Sequence, residues 1–108
     1  MISLSSRDSA QRLVESFARN GGKYLNEIRE AAGSRDLEAL HKAAHAFKGM
    51  SLTLGGGDVG DACQRLQAIT EITTPELSEQ IDALQAAFAQ TVRALREYLG
   101  LQTEVAAT

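Results

Sequence analysis

The stretch Ala44-His45-Ala46-Phe47-Lys48-Gly49-Met50-Ser51-Leu52-Thr53-Leu54-Gly55 decides the fold. Leu37, Leu40, Ala44, Phe47, Ser51 and Leu54 recur at steps of three and four, the period of a helix that turns one face into a bundle seam. His45 is off that seam, roughly 130° from the mean direction of the core positions, so its ring faces solvent or a partner. Gly49, one turn on, forgoes about 1 kcal/mol of helix propensity relative to alanine. Something other than helix stability therefore favours it, namely cleared space beside an outward imidazole. Lys48, three residues from His45, brings an ammonium to the same side, suited to holding an anion without accepting its proton. An accessible imidazole, a cation and open space are the parts that capture of a phosphoryl group requires.

Upstream of this helix, Ser6 or Asp8 can cap a first helix whose apolar positions Ala10, Leu13, Val14 and Phe17 follow the same period. Gly21-Gly22 is expected to end or kink it. A second helix from about Lys23 puts Tyr24, Leu25, Ile28 and Ala32 on one side and stops at Gly33-Ser34, where glycine suits a left-handed C-terminal position. Asp36 is placed to cap the central helix. Downstream, Gly55-Gly56-Gly57 ends that helix, and Asp58 and Asp61 start a fourth with Val59, Ala62, Cys63, Leu66 and Ile69 on its core side. Thr74-Pro75-Glu76 combines a capping threonine, a proline at the first helical position and a carboxylate at the positive end of the dipole. The fifth helix carries Leu77, Ile81, Leu84, Phe88, Val92, Leu95 and Leu99 through to Gly100, roughly 25 residues.

No alternating β-type run, internal repeat or low-complexity block interrupts this pattern. The expected fold is all-α, an up-and-down four-helix bundle with a short additional N-terminal helix. One domain over 1–108 is expected, with an ordered core of about 6–100 and a frayed tail at 101–108. The chain has 108 residues, a net charge of −3 and 11 basic against 14 acidic residues. It therefore offers one modest core and no lysine- and arginine-rich surface of the kind that binds nucleic acid. Cys63 is the single cysteine, and the start Met1-Ile2-Ser3-Leu4-Ser5-Ser6-Arg7-Asp8 has neither the basic opening nor the apolar run of a signal peptide. A cytoplasmic protein without a membrane span is expected.

Two histidines four apart, His41 and His45, can also present paired imidazoles to a metal. Position 42 is lysine instead of the glutamate of the metalloprotease signature, and Cys63 belongs to an apolar stripe. No metal site is assigned, and His41 is placed at the boundary of the seam. An amide oxygen near one ring nitrogen of His45 would fix the tautomer and leave the other nitrogen a free lone pair.

The run His45-x-Phe47-Lys48-Gly49, then Leu54-Gly55, then Cys63-x-x-Leu66 resembles the signature of histidine-containing phosphotransfer (HPt) domains, phosphorelay modules built on a four-helix bundle. Order and spacing match over residues 37–67. The resemblance implies that His45 is the phosphorylated residue, that Lys48 stabilises the phosphoryl group or the docked partner, and that Gly49 lets the partner approach. Gln67 falls where the family usually has Glu or Gln touching the active imidazole; its carbonyl can accept the ring proton, with Gln64 one turn earlier as a possible helper. Ala46, Leu52 and His41 complete the expected binding residues. Met50 stands where the family commonly has Ser or Ala, and Gly56 where Ala is commoner.

By the same resemblance the chain is a stoichiometric phosphocarrier, not an enzyme. It would be a monomer that takes a phosphoryl group from the receiver domain of a hybrid sensor histidine kinase and passes it to that of a response regulator. It would bind no cofactor itself, Mg²⁺ residing on the receiver. Two alternatives are a non-catalytic helical adaptor and the phosphoacceptor dimerisation domain of a histidine kinase; the chain carries no glycine-rich nucleotide loop that would go with the latter.

Overall fold

Four helices follow one another along the chain: α1 (Leu4–Gly33), α2 (Leu37–Leu52), α3 (Gly57–Gln67) and α4 (Pro75–Ala107). The computed structural model describes the backbone of residues 4–53, 57–72 and 75–107, and side chains within those segments from 8 to 100. Among these residues there is no strand, and each helix packs on two neighbours, α1 on α2 and α4, and α3 on α2 and α4. The result is an up-and-down bundle 54 Å long and 19 × 18 Å across.

The stripe read from α2 is its buried face: Leu40, Ala44, Phe47 and Ser51 are fully enclosed, and the Ser51 hydroxyl is satisfied by the Lys48 carbonyl at 2.8 Å. Phe47 carries the centre of the core. Its ring lies 5.8 Å from Tyr24 of α1 and 5.3 Å from Phe88 of α4, edge-on to the latter, and Phe88 in turn meets Phe17 at 5.3 Å. Val59, Ala62, Cys63 and Leu66 of α3 and Leu77, Ile81, Leu84 and Val92 of α4 close the same core.

The structure differs from the sequence expectation at several points. Gly21-Gly22 does not break the first helix, and the expected short N-terminal helix is the first half of a 30-residue α1. The reason is packing. The Phe88 ring lies on the backbone at Gly21, where a Cβ would stand 2.2 Å from Phe88 Cε1, so glycine here permits close approach of α4 instead of a turn.

α1 stops at Gly33, yet the left-handed residue is Arg35, with φ 57°. Arg35 N–H donates to Ala32 O at 3.3 Å and Asp36 N–H to Ala31 O at 2.9 Å, the paired bonds of a Schellman cap. Asp36 then caps α2 by accepting from the Ala39 N–H at 3.0 Å, so two helices share one joint of three residues.

Leu13 is 52% exposed although Val14 and Phe17 are buried. Tyr24 faces Phe47, and from that register α2 ends at about the level of Arg19, short of Leu13. α4 continues past Gly100 to Ala107, so helical backbone takes the place of the frayed tail expected after Gly100; the side chains of 101–108 lie outside the described residues. So do Leu54, Gly55, Gly56 and the Thr74 cap. No helix among the described residues is long and apolar enough to cross a membrane.

Candidate functional site

α2 and α3 run antiparallel, and their register puts the polar side chains of one opposite those of the other along one solvent-facing strip. His45 projects from the middle of α2 with its ring exposed, and the Gln67 amide at the end of α3 reaches its Nδ1 at 3.2 Å. One turn along, the Lys48 ammonium donates to Oε1 of Gln64. One turn further, Gly60 is buried under Leu52, where a Cβ would meet Leu52 Cδ2 at 3.7 Å and Ser51 Oγ at 3.6 Å. These pairs hold the two helices in a single register.

With Nδ1 engaged by Gln67, the outward nitrogen of His45 is Nε2. An amide nitrogen donating to Nδ1 puts the ring proton on Nε2. The same amide turned by half a rotation offers Oε1 to an Nδ1–H and leaves Nε2 with its lone pair. The carbonyl contact expected from the sequence is thus the half-turned form of the contact observed.

The surroundings of the ring are open. A Cβ added at Gly49 meets nothing within 4 Å, Ala46 is exposed, and Leu52 is 60% exposed beside the strip. On the other side of His45 lies an open depression of about 650 Å³ lined by Leu37, Glu38, His41, Lys42 and His45. His41 itself is half-buried and turned inward: its Nε2–H donates to the Ile69 carbonyl at 2.8 Å, tying α2 to the segment after α3. It thus braces α2 while lining the depression beside His45. Among the described residues no three His, Cys, Asp or Glu side chains gather as a metal centre would need.

Cys63 is fully buried on the core side of α3, and burial pushes its thiol up from the ordinary 9.0 to about 12, only partly opposed by the positive charge of Lys48. A thiol so held stays protonated and inert at neutral pH.

Sequence reasoning placed His45, Gly49 and Gln67 as the structure does. It left Gln64 as a possible helper of Gln67, and the structure gives it Lys48 as its partner. The signal was present in the spacing, since His45 and Lys48 are three apart on one helix and Gln64 and Gln67 three apart on the other, in opposite order.

No curated protein and no solved structure matches the chain. The family model of the Hpt domain matches residues 12–99, a span that takes in all of α2 and α3 and most of α1 and α4. Hpt domains are phosphotransfer modules that exchange phosphoryl groups with receiver domains in phosphorelays. With a four-helix bundle, an outward histidine on its second helix and a match over most of its length, the chain belongs to the Hpt domain family.

Proposed function

We propose that this chain is a phosphocarrier in which His45 Nε2 takes a phosphoryl group from the aspartyl phosphate of one receiver domain and yields it to a second. The observation that carries this reading is the Gln67 amide on Nδ1 of an otherwise exposed imidazole, 3.2 Å away, which leaves Nε2 as the ring nitrogen that faces outward. In the attacking form Nδ1 holds the proton against Gln67 Oε1. The Nε2 lone pair forms the N–P bond, the P–O bond to the aspartyl carboxylate breaks, and the carboxylate leaves with the bonding electrons. The ring keeps its Nδ1 proton and becomes a phosphoimidazolium. No proton has to be removed, so the chain needs no general base.

Charge in such a transfer is spread over the equatorial oxygens, and positioning with electrostatics does most of the work. Lys48 supplies a cation from this side. Mg²⁺ and its carboxylate ligands belong to the receiver on this reading. Gly49, Ala46 and Leu52 offer a flat, small and apolar surface where the receiver docks, and exclusion of water there strengthens the ionic contacts. A hybrid sensor kinase as donor, a response regulator as acceptor, a monomeric state and a cytoplasmic location complete the proposal.

The test is incubation with a phosphorylated receiver domain and Mg²⁺, followed by intact mass. Wild-type protein is expected to gain one acid-labile phosphoryl group, and His45→Gln none. A folded wild type that gains nothing from several receivers would leave the chain a helical adaptor.

A further inference from the structure

Both groups that act on phosphorus in the reading above are held by α3, and each by an uncharged amide. Gln67 contacts His45 and Gln64 contacts Lys48. The ion pairs among the described residues join Arg29 to Asp82, Lys42 to Glu38 and Arg96 to Glu15, and Lys48 is in none of them. Its charge is therefore directed but not neutralised by a carboxylate.

A lysine side chain has four rotatable carbons and samples many positions when free. Tethered to Gln64, its ammonium is kept on the strip where His45 stands, the backbone positions of the two residues being about 4.5 Å apart along the helix axis by three residues of rise. A carboxylate at position 64 would hold the ammonium more firmly and cancel the charge that incoming phosphoryl oxygens need. An apolar residue would leave the charge and release the position. Glutamine provides the hold without the neutralisation.

We infer that Gln64 is a positioning residue for phosphotransfer: its side-chain oxygen keeps the Lys48 ammonium beside His45 while leaving the positive charge available. The inference rests on His45 being the acceptor. Gln64 touches neither His45 nor the phosphoryl group and acts only through Lys48.

That dependence makes the test specific. Phosphoramidate serves as a small phosphodonor that needs no receiver docking: the Nε2–P bond forms, the P–N bond of the donor breaks, and ammonia leaves. The labelling rate is followed by intact mass for Gln64→Ala and Gln64→Glu, each in the wild-type and in the Lys48→Ala background, with thermal melts to confirm equal folding. In the wild-type background Gln64→Ala is expected to slow labelling about two- to tenfold, and Gln64→Glu at least as much. In the Lys48→Ala background Gln64→Ala should have no further effect. An equal slowing by Gln64→Ala in both backgrounds, or no slowing in the wild-type background, overturns the inference. Wild-type protein that takes no label at His45 sinks the acceptor reading itself, and the positioning role with it.

Discussion

On the face formed by α1 and α4, Arg96 donates from Nε and Nη2 to the two carboxylate oxygens of Glu15 at 3.0 and 2.9 Å, and Arg29, which donates to the Gln85 amide oxygen, also has the Asp82 carboxylate 3.6 Å away. On the face formed by α2 and α3, His45 and Lys48 have amides for partners. The first face cancels charge across the helices, and the second orients an imidazole and a cation while leaving both open to an anion. Two glycines mark the contrast: Gly21 lies under the Phe88 ring and permits close packing, whereas Gly49 faces open space beside His45. One half of the bundle is arranged for cohesion and the other for an encounter, and Phe47 in the core joins the two.

Substitutions that strike one half at a time can break or sharpen that division. The largest effect should come from Phe47→Ala, which removes the ring shared by both halves: we expect a loss of about 3–5 kcal/mol in chemical denaturation and, with it, loss of phosphorylation. Retention of full stability would show that the two halves do not share a core.

Gly21→Ala comes next. A methyl group directed 2.2 Å from a ring that is itself wedged between Phe17 and Phe47 overpacks the core by about 1–3 kcal/mol, offset by up to about 1 kcal/mol of helix propensity. The denaturation midpoint should fall while the phosphotransfer rate of the remaining folded protein is unchanged. A stabilised Gly21→Ala protein would mean the close approach of α4 is not needed.

The reverse pattern is expected for Lys48→Ala. Transfer should slow about tenfold, the size of a charge-assisted hydrogen bond present at the transition state, with no change in the melt. Equal rates for wild type and variant would remove Lys48 from the account.

The smallest effect is assigned to Arg96→Ala, because an exposed ion pair contributes little. Arg96 holds the Glu15 carboxyl below its ordinary value of 4.5. The pair's contribution is therefore present above that pH and is lost as the pH falls and the carboxyl takes up a proton. Melts of variant and wild type should differ slightly at pH 7 and converge under acid conditions; a difference that persists in acid would assign the effect to packing of the arginine stem.

Much of the α2–α3 half is legible in the residues. A stripe at steps of three and four can only bury one side of a helix, so Leu40, Ala44, Phe47 and Ser51 inside and His45 outside follow from period alone, as does the buried row Val59, Ala62, Cys63 and Leu66. What is not legible depends on how far neighbours reach. Gly21-Gly22 reads as a break because glycine disfavours a helix, and only the position of Phe88 on α4 turns it into a close contact. Leu13 fits the apolar period of α1 but lies beyond the end of α2, so one flank stays in solvent. The left-handed joint falls on Arg35, two residues past the glycine that local preference favours, because Asp36 must both close α1 and cap α2. The Lys48–Gln64 contact requires the register of two helices, which neither sequence segment carries by itself.

The most direct test of the account is to phosphorylate the protein and identify, by heteronuclear ³¹P and ¹⁵N NMR, the nitrogen that carries phosphorus. With Gln67 on Nδ1 of His45, the prediction is a single phosphohistidine at Nε2 of His45, absent from His45→Gln. Phosphorus on Nδ1 of His45, or on His41, would contradict it.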